Sequence, residues 1–475
     1  MDNLEQNIRQ IVTEVIKSLN TNTNTNTPKP ETQKGSGVYS DLNSAVLAAE
    51  KAFKELNELS LETRKNIIEN MRKTAMAYKE ILSKMANEET KMGRWEDKVI
   101  KNDLAISKTP GVEDIAPEAF SDDHGLTLVE KAPFGVIGSI TPSTNPTATI
   151  ISNGIGMIAA GNSVVFNPHP SAKKVSASTV SLLNKAIVEA GGPANLLTCI
   201  DEPTIESAKL LMTHPKISIL VVTGGPAVVK TAMDSGKKVI AAGPGNPPCV
   251  VDETADLVKA GRDIVNGASF DNNLICICEK EILVVASVAD KLKEEMKKNG
   301  AYELNPEQIK QITSLVISDP GRPGHEGAAN KKFVGKNANV IAKELGLNLP
   351  DSTRLLLCEV GRNHPLVWTE QLMPVMPLVR LNNVDEAIDL AVECEHGFRH
   401  TAIMHSLNIA KLSKMARLMN CSIFIKNGPS YAGLGKDGAG YTTFTIASPT
   451  GDGVTRARTF TRERRCTLVD YFRII

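Results

Sequence analysis

The chain has 475 residues, and its 54 Lys+Arg balance its 54 Asp+Glu, so it carries no formal net charge. A length of this order holds roughly three domains, and the charge balance leaves no basic surplus for nucleic acid as the main partner. The composition, 41% hydrophobic and 23% charged with eight cysteines, fits a globular chain with a sizeable core in a reducing cytosol, without a disulfide framework and without the ~18-residue apolar run of a membrane span.

At the N-terminus, Leu4, Ile8, Ile11, Val12, Val15, Ile16 and Leu19 fall at helical spacing, with Glu5, Arg9, Glu14 and Lys17 off the stripe. The spacing predicts an amphipathic helix over 1–20. A secretory signal would need a cationic start and a continuous apolar stretch, and a mitochondrial presequence would be poor in acids. Thr21 to Gly37 reads TNTNTNTPKPETQKGSG, a polar, low-complexity run that buries too little apolar surface to order itself and serves as a flexible linker. A helix on such a tether either folds back on its own domain or docks in another protein's groove. Its mixed-charge polar face makes a membrane surface the third option.

Residues 41–90 are helical in pattern. From 126, strands alternate with helices: Val136–Ile140, Ser163–Phe166, Leu196–Ile200, Ile217–Val222 and Lys238–Ala242 read as buried strands, with helical stretches between them. This is the pattern of βαβ units and a parallel sheet covered on both faces. Ligands at such sheets sit beyond the carboxyl ends of the strands, which points to the turns at 141–146, 167–170 and 223–226. A second α/β domain begins near 256, with strands near 281–285, 355–359 and 422–425. LTLVEKAP at 126–133 and the tail RRCTLVDYFRII alternate as edge strands; exposed edges are usually covered, often by another subunit.

No G-x-G-x-x-G fingerprint follows the strands between 136 and 242. Thr223-Gly224-Gly225 lies between a strand and a helix, where it is either a tight turn or a place for a pyrophosphate. Within SFDNNLICICEKE, Cys276 and Cys278 have three readings: half of a metal site, buried structural thiols, or a catalytic thiolate that needs a partner to hold an oxyanion or lower its pKa. His169 and His400 are either acid/base groups or satisfied turn histidines. The eight histidines show no metal-ligand spacing, so no metal is expected.

PFGVIGSITPSTNPT, GNSVVFNPHPSAK, GASFDNNLICICEKE, TEQLMPVMPLVR and the tail from TTFTIASPTGDG onward together resemble the CoA-acylating aldehyde dehydrogenases of bacterial microcompartments. The likeness is first to the propanal enzymes of propanediol utilisation and second to the acetaldehyde enzymes of ethanolamine utilisation. It runs from about residue 38 to the C-terminus. Residues 1–20 with their linker resemble the encapsulation peptides that load such enzymes into a protein shell.

The resemblance implies an α/β aldehyde dehydrogenase-like fold. It has an NAD-binding, Rossmann-like domain over 38–255, a catalytic domain over 256–445, and a β oligomerisation arm made by 446–475 with help from 124–134. It implies a homo-oligomer, dimer or tetramer, that works in the cytoplasm inside a microcompartment whose shell protein receives 1–20. NAD is the cofactor, CoA the co-substrate and a short aliphatic aldehyde, propanal first, the substrate. Cys276 is the implied nucleophile, with Ile275 where the family often has proline; Cys278 would be a spectator thiol able to capture an oxidised Cys276. Asn145 would supply a side-chain donor to the oxyanion. Thr141, Pro142, Asn167, His169, Gly224, Gly225, Glu370 and Leu372 would line the cofactor site, with Glu370 positioning the nicotinamide ribose. Hydrolytic members carry a glutamate base where AAGPGNPP here puts Ala241 or Ala242, and many carry a lysine for the adenine ribose where Asn167-Pro168-His169 stands. The missing base favours acyl transfer to CoA over acid formation. Hydrolytic oxidation, or a shell-associated scaffold without catalysis, are the rival readings.

Overall fold

The computed structural model describes residues 36–475. The helix and most of the linker expected within 1–37 lie outside the described residues. The first sheet is fed by β1 (Val38–Tyr39), β4 (Val136–Thr141), β5 (Ser163–Pro168), β6 (Leu197–Ile200), β7 (Ile217–Thr223) and β8 (Lys238–Ala242). They lie in the order β1-β6-β5-β4-β7-β8, and every pairing is parallel. Helices α1 (Leu42–Asn57), α2 (Leu61–Thr90) and α3 (Trp95–Lys108) precede the main strands; α4 (Pro146–Ala159), α5 (Lys173–Glu189), α6 (Ile205–Thr213) and α7 (Pro226–Met233) connect them. Asp41 and Ser60 cap α1 and α2 through their side chains, which satisfies backbone N–H groups that have no partner within a helix.

Helix α4 is buried along its whole length. A helix that is apolar all round belongs in the middle of a core, and α4 packs between α2, α3, α5 and the sheet. Ile67, Met71, Ile150, Ile155, Phe166, Leu183 and Leu197 meet there. This packing fixes the N-terminal end of α4, where Asn145 stands.

The second sheet has the order β11-β14-β15-β10-β9-β16-β17, again all parallel. Its members are β9 (Pro248–Val251), β10 (Glu281–Val285), β11 (Ala301–Glu303), β14 (Leu355–Glu359), β15 (Val375–Leu381), β16 (Thr401–His405) and β17 (Ile423–Lys426). Between β11 and β14 lies a two-stranded pair, β12 (Ile317–Asp319) with β13 (Ala328–Ala329). A small pair, β18 (Ile446–Ala447) with β19 (Gly453–Val454), precedes the last strand, β20 (Thr461–Val469). β20 pairs antiparallel along β3 (Gly125–Pro133), which also pairs with β2 (Glu118–Asp122). The two edge strands expected from alternation therefore pair with each other and form an exposed three-stranded arm.

Two expected boundaries shift. The chain crosses between sheets at residues 243–247, before β9, and not at 255, because β9 is paired on both sides by strands of the second sheet. Residues 446–460 are not part of the arm: Ala447, Ala457 and Phe460 are buried in the core around α4, so only the strand from Thr461 projects.

Candidate active site

The strands β4, β5 and β7 are parallel neighbours and end together at Thr141, Pro168 and Thr223. That edge is where an open α/β sheet receives its ligand. Thr141 is buried and its Oγ1 has no partner among the described residues. Gly225 caps α7 and has open space where a Cβ would stand, and Gly224 precedes it. Asn167 is buried and accepts a hydrogen bond from Ser207 Oγ at 2.6 Å. His169 is exposed; its Nδ1 accepts from the Ser171 N–H, and burial of part of the ring with Lys331 nearby lowers its pKa. Pro142 follows Thr141 at the strand end, half-buried. An orphaned hydroxyl, an open glycine and a helix N-terminus at one edge fit a dinucleotide.

The segment 269–280 runs between α8 (Leu257–Ala268) and β10. Asp271, Asn272 and Asn273 take φ of 48°, 55° and 66° in succession. Left-handed backbone is costly for residues with a Cβ, and Asn and Asp tolerate it best. Each of the three is tied down. Asp271 Oδ1 accepts from the Arg94 N–H at 2.8 Å, and its own N–H donates to Asp97 Oδ2 at 2.9 Å. Asn272 Nδ2 donates to the Gly335 carbonyl at 2.9 Å and to Asn337 Oδ1 at 2.7 Å. Asn273 Nδ2 donates to the Ala268 and Glu279 carbonyls at 2.7 and 2.9 Å. Gly93 is required beside this turn: its φ is +74°, and a Cβ there would lie 2.0 Å from Asp271 Oδ1.

The locked turn delivers Cys276 half-buried, while Ile275, Ile277 and Cys278 around it are buried in the core of the second sheet. The Cys278 thiol donates weakly to the Phe270 carbonyl. Burial and then the nearby Glu370 carboxylate push the Cys276 thiol up to about 12, while Lys280 and its own backbone N–H pull in the other direction. Glu370 is itself pushed up to about 7 by burial. Its one hydrogen bond is a long one, from the Gly245 N–H at 3.4 Å, which leaves acceptor positions free for a sugar hydroxyl. Leu372, two residues on, takes a left-handed φ of 54° and its carbonyl accepts from the Gly335 N–H at 2.9 Å, so the Glu370 loop and the Asn272 turn share an anchor.

Asn145 occupies the N-cap position of α4 but makes no capping bond. Its Oδ1 accepts from Lys101 Nζ at 2.6 Å, and its Nδ2 donates to Thr144 Oγ1 at 3.1 Å. An ammonium only donates, so the amide oxygen must face Lys101, and one amide hydrogen stays uncommitted. Lys101 also bonds Asp271 Oδ2, which accepts from Lys98 Nζ at 3.0 Å. One buried ionic cluster thus joins the Asn145 amide to the turn before Cys276. Sequence reasoning missed Lys98, Lys101 and Asp271.

Ala241 and Ala242 end β8, buried; the Ala241 N–H donates to Thr450 Oγ1 at 3.1 Å. Neither alanine has a side chain that can accept a proton. Beyond it, Gly245 lies against the nucleophile segment: a Cβ there would sit 2.9 Å from the Cys276 carbonyl oxygen and 3.0 Å from His400 Cγ. His400 is buried, bonded through Nδ1 to Thr401 Oγ1 and unpartnered at Nε2. Burial drives its pKa down to about 3, so the ring is neutral. One ring nitrogen of His400 is thus bonded, and the other has no partner among the described residues.

A model of the aldehyde dehydrogenase family matches residues 17–316. This chain belongs to the aldehyde dehydrogenase family. It stands among the CoA-acylating members: it is 50% identical to an acetaldehyde dehydrogenase (acetylating) of Bilophila wadsworthia, over all of both chains. It is 47% identical to the propanal dehydrogenase (CoA-propanoylating) of Salmonella typhimurium, over 99% of each. The crystal structure of Rhodopseudomonas palustris propionaldehyde dehydrogenase with bound CoA and an acylated cysteine matches it with a TM-score of 0.89 at 51% identity, covering 92% of this chain and 98% of that one. The fold expected from the sequence is that of this aldehyde dehydrogenase: a Rossmann-like sheet, a second parallel sheet carrying the cysteine, and a strand arm.

Proposed function

We propose that this enzyme oxidises a short aliphatic aldehyde, propanal first and acetaldehyde second, and passes the acyl group from Cys276 to CoA. Cys276 gives up its thiol proton, and its sulfur attacks the carbonyl carbon to form a thiohemiacetal. Its oxygen is held by the free Asn145 Nδ2–H and by the Cys276 N–H. One such donor contributes about 3–4 kcal/mol to the barrier. NAD+ in the groove at Thr141, Pro142, Asn167, His169, Gly224, Gly225, Glu370 and Leu372 supplies the hydride acceptor. The thioacyl group that remains on Cys276 is then attacked by the CoA thiolate, and the Cys276 thiolate leaves with acyl-CoA formed.

The observation that carries the choice between CoA and water is the buried Ala241–Ala242 strand end. Neither residue can take a proton from water, and a thiol needs less activation than water to attack a thioester. The test is NADH absorbance with propanal and NAD+, with and without CoA. Steady turnover only with CoA is expected, with a single stoichiometric burst without it. Equal steady turnover in both would overturn the reading and show that another group activates water.

Two further parts of the proposal concern assembly. The arm of β2, β3 and β20 ends in exposed Val469, Tyr471, Phe472, Ile474 and Ile475, an apolar end that fits pairing with other copies of this chain. A monomer by light scattering would count against it. Residues 1–20 are proposed to dock on a microcompartment shell protein; a reporter fused to them should concentrate at assembled shells, and a diffuse signal removes the idea.

A further inference from the structure

We propose that Lys101 is the positioning residue that aims the Asn145 amide, so that its N–H and not its carbonyl faces the reacting oxygen. The inference rests on the oxyanion role of Asn145 given above. An amide is nearly symmetric in shape, and turning it over would replace a donor by a lone pair that repels the oxyanion. Something must select one face. Two observations assign this to Lys101.

The first is where the Asn145 side chain does not go. An asparagine at the N-cap of a helix usually turns back and accepts from the N–H groups of the first turn. Asn145 makes no such bond. Its Oδ1 is taken by Lys101 Nζ at 2.6 Å instead, which draws the side chain off the helix end. The second is the character of Lys101. Its ammonium is almost wholly buried and all its bonds are donated: to Asn145 Oδ1, to the Thr144 carbonyl at 3.3 Å and to Asp271 Oδ2. Three acceptors match its three hydrogens. A saturated donor of this kind cannot accept the amide N–H, so the inverted amide would place two donors face to face. Asp271 completes the device, because it anchors Lys101 to the turn that carries Cys276. The donor and the nucleophile are thereby registered to each other through one side chain.

The test is a double-mutant cycle on the single-turnover burst of NADH, which reads acylation without CoA. Lys101→Met is expected to slow the burst about 10²-fold, within the range for loss of one oxyanion donor, with the KM for NAD+ unchanged. Asn145→Ala is expected to slow it by 10²–10³-fold. If Lys101 acts through Asn145, the double variant will be no slower than Asn145→Ala alone, within about twofold, because coupled residues are non-additive. Lys101→Arg keeps a cationic donor and is expected to recover at least about tenfold of the loss; any remaining deficit should also vanish on the Asn145→Ala background. That second variant carries the cycle if Lys101→Met does not fold. Multiplicative losses in either cycle overturn the inference, since a merely structural lysine would weaken both backgrounds alike. A burst undiminished in Asn145→Ala itself would instead overturn the oxyanion reading on which the inference rests.

Discussion

Two ionic clusters in this molecule are built from the same parts and stand in opposite surroundings. At the seam between the sheets, Lys98 and Lys101 share Asp271, with side chains 2%, 2% and 0% exposed. At the outer edge of the second sheet, Lys293 on α9 (Ala286–Lys298) donates to Glu303 and Glu359, each at 2.6 Å, and Arg380 joins Glu359 to Asp290. There the carboxylates reach water, Glu303 being 27%, Glu359 33% and Asp290 74% exposed, although Lys293 itself is only 11% exposed. The environments leave opposite marks on the lysines. Burial drives Lys101 down to about 8 despite Asp271. Burial also opposes the charge on Lys293, yet its bonds to Glu303 and Glu359 hold it above the ordinary lysine value. Taking charges out of water costs several kcal/mol per ion, which attraction repays only in part. The seam cluster is thus a poor way to stabilise a fold and a good way to fix an orientation; the edge cluster is the reverse, cheap and loosely held.

The largest effect expected from this contrast comes from Asp271→Ala. It leaves two buried cations without their shared carboxylate and removes the acceptor that holds the turn to the Arg94 N–H. Breaking a buried pair by removing one partner costs about 3–5 kcal/mol. Chemical denaturation should show a loss of that order, and the acylation burst should fall with it, since Lys101 loses its anchor. A loss below about 1 kcal/mol, the range of an exposed pair, would erase the distinction between the two clusters.

The difference between the clusters also marks what could be read from the sequence. The strand order could not be read, but the strands themselves could: Val136–Thr141, Ser163–Pro168 and Ile217–Thr223 stand where the apolar runs put them, because buried parallel strands are continuous hydrophobic stretches. Strand β9 escaped because Pro247 and Pro248 argue against a central strand; Pro248 opens β9, the position where a strand tolerates proline. Cys276, Asn145 and Glu370 were reached through resemblance; Glu370 and Lys101 lie near Cys276, and Lys101 bonds Asn145. Lys98, Lys101 and Asp271 were not reached. In WEDKVIKNDLAISK the charges look like the solvated face of a helix, and the partner carboxylate lies 170 residues away from Lys101 in the chain. A local signal did exist at the other end. Three successive Asx residues in SFDNN are the types that accept left-handed backbone, and they mark a constrained turn just before the cysteine.

The second expected effect is a pH dependence in Lys101 that Lys293 does not share between pH 8 and 10.5. Lys101 has its folded pKa near 8 against an ordinary 10.5. Between those values the unfolded chain holds the proton that the native state has lost, so native stability rises with pH there. The cost of the buried charge is fully present below pH 8 and relieved by pH 10.5. The stability difference between wild type and Lys101→Met should therefore shift in favour of wild type across this window, by up to about 3 kcal/mol at 1.36 kcal/mol per unit. Asp97, Lys98, Asp271, Arg354 and Cys278 are the charged and titratable groups around the site, and the difference against the Met variant is taken to isolate the lysine. A flat difference from pH 8 to 10.5 would mean that the seam is wetter than its burial indicates.

The smallest effect belongs to Lys293→Met. Its folded pKa is raised, so what it contributes is present in full below the unfolded value of about 10.5 and is lost only as pH rises through the folded one. Across pH 8 to 10.5 its difference from wild type should be nearly flat, where that of Lys101→Met slopes. The amount should be under about 1 kcal/mol, for a reason visible in the partners: without Lys293, Glu303 keeps Lys297 at 3.0 Å and Glu359 keeps Arg380 at 2.6 Å. No carboxylate is stranded, and water reaches both. A slope like that of Lys101, or a loss like that of Asp271→Ala, would mean that the edge cluster is held as tightly as the seam, and that burial is not what sets the two apart.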